Sequence, residues 1–190
     1  MSAGTFPRMP RIVLVRHGRP TGSYGDDHDP GLDDVGRQQA EAASEALASI
    51  GPQPIVVSPL RRTRETAEPL AARWAATPIV DERVGEIRSP GDVLEERVPW
   101  LRTVLASSWP DLPDELRAWR EDVLRALREL AEDTVVVTHF VAINVVVGAA
   151  TADARVVCST PDFCSRTVID VQPHHFRLLE LGAQAATAVR

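Results

Sequence analysis

Lysine is absent from this sequence of 190 residues; all 21 of its cationic side chains are arginine. A GC-rich coding bias is enough to explain that preference, but the absence still excludes chemistry. A phosphate-binding loop of the Gly-Lys-Ser/Thr kind cannot form, and no amine is available for a Schiff base. Any phosphate held here is held by Arg, His or backbone N–H groups. Cysteine is nearly as scarce: Cys158 and Cys164 can neither build a disulfide framework nor fill a four-thiolate zinc site. Long apolar runs are missing too, the longest being of the size of Ile12 to Val15 and Val145 to Val147, so no segment is expected to span a membrane. Met1 to Arg11 lacks the apolar stretch of a signal peptide. These absences make the cytoplasm the expected compartment. A formal net charge of −6 argues against broad binding to nucleic-acid phosphates.

What is present suffices for one well-filled domain over residues 1–190, with its core at about 11–182: the chain is 44% hydrophobic and 25% charged. β-branched runs predict strands at Ile12–Val15, Ile55–Val57, Thr134–Thr138, Thr167–Val171 and Phe176–Leu181, with a weaker one at Ile79–Val80. Helical spacing predicts helices over Asp34–Ile50, which stops at Gly51-Pro52, and over Leu60–Ala76 and Pro113–Ala131. A further helix is expected within Asp92–Ser107, interrupted or entered at Pro99, and Val141–Ala150 reads as a short buried one. Strands alternating with helices imply a three-layer α/β/α sandwich around a mostly parallel central sheet. In such sheets ligands bind beyond the carboxyl ends of the strands.

Three strand ends carry charge or imidazole at that edge. Ile12-Val13-Leu14-Val15 runs into Arg16-His17-Gly18, Ile55-Val56-Val57 into Ser58-Pro59-Leu60-Arg61-Arg62-Thr63, and Thr134 to Val137 into Thr138-His139. If these strands are parallel neighbours, Arg16, His17, Arg62 and His139 converge, with two helix N-termini adding partial positive charge. An acidic protein that gathers such groups at one edge has built an anion site, and phosphate suits it. Gly18 would let a ligand approach the backbone beside the imidazole.

These segments resemble the histidine phosphatase superfamily, also called phosphoglycerate mutase-like. Leu14-Val15-Arg16-His17-Gly18 matches its strand ending in Arg-His-Gly. Ser58 to Thr66 matches Ser-x-Leu-x-Arg-Ala-x-x-Thr, with Thr63 in place of Ala. Val136-Val137-Thr138-His139 matches the strand ending in a second His. Gly31 to Ala40 is similar to a Leu-Thr-x-x-Gly-x-x-Gln-Ala helix start, and Ser165 to Ile169 to a late strand. The resemblance runs in order from about Ile12 to Leu181.

It implies a phosphoglycerate mutase-like fold and a metal-independent phosphomonoester hydrolase of the histidine acid phosphatase kind. The substrate would be a small phosphorylated metabolite or a phosphoprotein, and no cofactor is required. His17 would accept the phosphoryl group as nucleophile, while Arg16, Arg62 and His139 neutralise its oxygens. Arg83-Val84-Gly85-Glu86-Ile87 matches the segment that supplies the general acid, which nominates Glu86, with Glu82, Glu95 and Glu96 as rivals. Mutase-type transfer, or a phosphate-binding regulator of the same fold with little turnover, are the alternatives.

Departures from the family pattern fall around this set. Phe140 stands where a small residue is usual and is expected to narrow the pocket or make it apolar. Asn144 replaces an Arg, Pro20 follows Arg19 in place of Ser or Thr, and Phe163 replaces an Asn; all are expected to alter how the rest of the substrate is read. Asp26-Asp27-His28-Asp29 reads as an exposed loop rather than a metal site, and His174-His175 as a turn. Ser58 lacks a Gly-x-Ser-x-Gly frame. Cys158 and Cys164 are expected as apolar filler. Trp74, Trp100, Trp109 and Trp119 are expected to pack, with Trp100 and Trp109 as lid candidates.

Overall fold

Valine and isoleucine, stiff at χ1 and shaped for a pleated surface, dominate four short runs that pair as parallel neighbours. The computed structural model describes residues 9–22, 27–91 and 93–186. Its strands are β1 (Arg11–Arg16), β2 (Ile55–Val57), β3 (Ile79–Val80), β4 (Thr134–Thr138), β5 (Arg166–Val171) and β6 (Phe176–Glu180). They form one six-stranded sheet in the order β3-β2-β4-β1-β5-β6. The first four pair in parallel, whereas β5 runs antiparallel to both β1 and β6. The mostly parallel sheet expected from the sequence is therefore the one that forms. A turn through His174 and His175 joins the last two strands, closed by the Gln172 N–H on the His175 carbonyl at 2.8 Å.

Side chains along β1 alternate between two cores. Ile12 and Leu14 join Val56 and Val136 on one face, beneath α4 (Asp114–Arg128) and α5 (Phe140–Thr151). Val13 and Val15 join Val57, Val135 and Val137 on the other, beneath α1 (Asp34–Ala48) and α2 (Arg61–Trp74). Strands buried on both faces need continuous apolar runs rather than alternation, which is what the sequence carries. α5 is buried from Phe140 to Gly148 and is apolar there apart from Asn144, as a helix wedged against the sheet must be. Among the described residues no helix is long and apolar enough to cross a membrane.

Two expectations change. α3 (Leu94–Leu105) runs through Pro99 instead of breaking there. Pro99 is exposed, so the turn its ring disturbs opens to water, and the Thr103 hydroxyl donates to its carbonyl at 3.2 Å. Trp109 is no lid; it is buried and stacks on Trp119 with centroids 6.1 Å apart. Trp100 packs at the margin of the first core.

Register decides where function can sit. Val137 pairs with Val15 on one side and with Val57 on the other. The three strands thus end level, and the residues that follow them emerge along one edge.

Candidate active site

At that edge Arg16 is the last residue of β1 and is buried. Its Nη1 donates to the Pro161 carbonyl at 2.8 Å, while its Nε has no protein partner. The guanidinium lies 4.1 Å from the Phe163 ring centroid and 5.2 Å from that of Phe140. Burial lowers its pKa to about 10, so it keeps its charge at neutral pH. A buried cation with an unsatisfied N–H is costly unless an anion completes it.

His17 follows directly. Its Nδ1 is 2.7 Å from the Gly18 carbonyl. A carbonyl only accepts, so Nδ1 carries the hydrogen and Nε2 bears the lone pair. Burial, then the charges of Arg62 and Arg16, hold this imidazole well below its ordinary pKa, so it is neutral. His139 caps α5 and is fully buried, its ring centroid 5.2 Å from that of His17. Burial, then the charges of Arg62 and Arg16, keep it neutral too.

Arg62 occupies the first turn of α2, buried, in a helix whose first turn holds no acid. The helix N-terminus adds positive charge to its own. Arg61 beside it pairs with Glu65 at 2.5 Å.

Glu86 reaches the same cleft from the other side of the sheet edge. A 3₁₀ turn over Glu82–Val84, capped by Asp81, leads into it. The Thr138 hydroxyl donates to the Val84 carbonyl at 2.6 Å and ties that turn to β4. The half-buried carboxyl accepts the Ile87 N–H at 3.0 Å and, more weakly, the Val141 N–H at 3.4 Å. Burial raises its pKa; the Ile87 N–H and the Arg62 and Arg16 charges oppose that and do not overcome it. Arg16, His17, Arg62 and Glu86 line one cleft. Neither Glu82 nor Glu96 is in its wall; the side chain of Glu95 lies outside the described residues.

Several residues turn out differently from their sequence reading. Gly18 packs closely against α1 and α2: its N–H donates to Thr66 Oγ1 at 2.9 Å, and a Cβ there would lie 2.6 Å from the Gly36 carbonyl oxygen. Asn144 is not in the cleft wall. It is fully buried, and its Oδ1 accepts the N–H groups of Cys158 (2.9 Å) and Ser159 (2.8 Å), latching the loop that presents Pro161 to Arg16. Cys164 is more than filler, since it adopts φ 55° and its N–H donates to the Arg16 carbonyl at 3.0 Å. Phe140 does make the wall apolar, and it leaves His17 and Glu86 in the cleft. Asp26 lies outside the described residues. Of its neighbours, Asp27 and His28 line the cleft, while Asp29 caps α2 by accepting the Arg61 N–H at 2.7 Å.

Three contributions were missed. Ser58 hydrogen-bonds His139 at 2.8 Å. Glu65 fixes the loop before α1 by accepting the Leu32 N–H at 2.6 Å. Arg97, Leu101 and Leu105 of α3 form one side of the cleft, and their four-residue spacing was a legible signal.

The family model of the histidine phosphatase superfamily (branch 1) matches residues 12–184. Glucosyl-3-phosphoglycerate phosphatase of Mycobacterium tuberculosis is 36% identical over 119 residues, covering 60% of this chain and 50% of that protein. This chain thus spans about half the length of that relative. The 5''-phosphoribostamycin phosphatase of Niallia circulans is 30% identical over 154 residues, 68% of this chain and 72% of that protein. A mycobacterial glucosyl-3-phosphoglycerate phosphatase solved with VO3 superimposes with a TM-score of 0.69 at 23% identity, over 92% of this chain and 100% of that one, a likeness of fold.

Proposed function

Because the chain belongs to the histidine phosphatase superfamily (branch 1), we propose that it hydrolyses phosphomonoesters of small metabolites through a phosphohistidine on His17. The observation that carries this reading is the hydrogen bond from His17 Nδ1 to the Gly18 carbonyl at 2.7 Å, which leaves a bare Nε2 in a neutral ring. In the first step Nε2 attacks phosphorus and the ester P–O bond breaks. Glu86, whose pKa burial raises, gives its proton to the departing oxygen. Arg16 and Arg62 meet the charge on the phosphoryl oxygens; a guanidinium suits this because its planar fork reaches two oxygens at once. In the second step the Glu86 carboxylate takes a proton from water, water oxygen bonds to phosphorus, and the Nε2–P bond breaks to return neutral His17 and inorganic phosphate.

The relatives named above are called a glucosyl-3-phosphoglycerate phosphatase and a 5''-phosphoribostamycin phosphatase, which supports a small-molecule substrate over a phosphoprotein. The cleft's apolar walls, with Leu101, Leu105 and Phe163 above the charged floor, support a substrate that places a carbon skeleton there. The test is hydrolysis of p-nitrophenyl phosphate in the presence of EDTA, with His17→Ala as control. Turnover that survives EDTA and is lost in the variant supports the reading. Turnover abolished by EDTA and restored by a divalent ion contradicts it.

A further inference from the structure

Ser58 leaves β2 at the same edge as Arg16 and His17, and it is fully buried. Its Oγ accepts the Leu60 N–H at 3.2 Å and lies 2.8 Å from Nε2 of His139. The backbone N–H can only donate, so it takes up acceptor capacity on Oγ and leaves the hydroxyl hydrogen to point elsewhere. His139 Nε2 is the partner in position to receive it. A neutral imidazole whose Nε2 accepts must carry its own hydrogen on Nδ1. That Nδ1 is buried and has no protein partner. The ring it belongs to stands 5.2 Å, centroid to centroid, from the ring of His17. Buried polar atoms are seldom left unpaired, and one beside the nucleophile points to a ligand atom that completes it.

Resting on the phosphatase reading above, we propose that Ser58 is a positioning residue. Its hydroxyl fixes His139 as the Nδ1–H tautomer, so that this N–H donates to the phosphoryl group carried by His17. The two histidines then share one protonation pattern and do opposite work with it. His17 is held with hydrogen on Nδ1 by the Gly18 carbonyl and presents its bare Nε2 to phosphorus. His139 is held with hydrogen on Nδ1 by Ser58 and presents that hydrogen to oxygen. The other tautomer of His139 would turn a lone pair toward the phosphoryl oxygens, which repel it. Arg62 and Arg16 bear on His139 electrostatically and disfavour its cationic form, so a fixed tautomer, rather than a second proton, is what makes it a donor.

Long-range ¹H–¹⁵N spectra of histidine-labelled protein test this, recorded without ligand and with inorganic phosphate or vanadate. In the wild type the His139 Nδ1 resonance is expected in the protonated range and Nε2 in the bare range, in both states. Ser58→Ala is expected to give a mixture of tautomers and to weaken phosphate inhibition about tenfold, with a smaller loss in kcat for p-nitrophenyl phosphate. Ser58→Thr, which keeps the hydroxyl, is expected to restore the tautomer and the phosphate affinity. A wild-type spectrum with hydrogen on Nε2 of His139 overturns the proposal, and it does so even if Ser58→Ala fails to fold. A folded Ser58→Ala protein with an unchanged tautomer and unchanged phosphate affinity overturns it as well. A wild type that shows the expected tautomer and binds phosphate, yet turns over no monoester, counts against the phosphatase reading and supports the role of Ser58.

Discussion

Replacing Glu86 by Gln removes one proton donor and disturbs little else. The amide keeps an oxygen for the Ile87 N–H now accepted at 3.0 Å, and the contact it gives up is the long one to the Val141 N–H at 3.4 Å. Losing one weak hydrogen bond costs about 1 kcal/mol at most, and a neutral amide is easier to bury than a carboxylate. The melting temperature should therefore shift by no more than about 2–4 °C. Catalysis should suffer far more, and unevenly. An alkyl phosphate leaves as a strongly basic alkoxide and needs a proton, so phosphorylation of His17 should slow by about 10²–10⁴-fold, equivalent to about 3–5 kcal/mol on the barrier. p-Nitrophenolate departs with little help, and the penalty for its ester should be much smaller. In the wild type the alkyl rate should fall as pH rises through the raised pKa of Glu86, because only the protonated carboxyl donates. That limb should vanish in the variant. Rapid-quench burst kinetics separate phosphorylation from hydrolysis of the phosphohistidine, which matters because Glu86 also serves as base in the second step. Equal slowing of phosphorylation for both leaving groups would refute the acid role and make Glu86 a binding or structural carboxylate. No effect on either would return the search to Glu82, Glu95 and Glu96.

Further outcomes follow from burial. His17 and His139 stay neutral well below their ordinary pKa, so below about pH 6.5 the unfolded chain binds more protons than the folded one. Stability should fall on acidification from there, by up to about 1.4 kcal/mol per pH unit for each histidine. Urea titrations in phosphate-free buffer should show a shallower slope for His139→Asn, and an unchanged slope would contradict a buried neutral ring. Glu86 acts with the opposite sign nearer the carboxyl range, which the comparison of the two proteins cancels. Asn144→Asp should cost about 3 kcal/mol or more, because an oxygen would replace the Nδ2 that donates to the Phe140 carbonyl at 3.0 Å. It should also weaken phosphate binding by loosening the loop that carries Pro161. Wild-type stability measured by denaturant unfolding would show that Asn144 is not the latch described.

The sheet and the charged floor of the cleft were legible because both are written in local pattern. Apolar runs of β-branched residues announced the central strands; β1 and β4 run directly into Arg16-His17 and His139, and β2 leads through a short loop to Arg62 on α2. What could not be read were contacts between segments far apart in the chain. Ser58 and His139 are adjacent in space only because β2 and β4 pair in register. Asn144 sits on an otherwise apolar stretch of helix, so nothing local reveals that its amide reaches the loop at Cys158 and Ser159. The close approach of Gly36 in α1 to Gly18 is another such contact between distant segments. Pro99 misled because proline disfavours a helix interior on average, whereas α3 continues through it at an exposed turn.

The most direct measurement is to trap the chain during turnover of a ³²P-labelled alkyl monoester, quench it under alkaline conditions and locate the label by peptide mapping. Label that is stable to base, labile to acid and confined to His17, with none in His17→Ala, is the predicted result. Turnover with no covalent label under conditions that preserve phosphohistidine, or label on another residue, would contradict it.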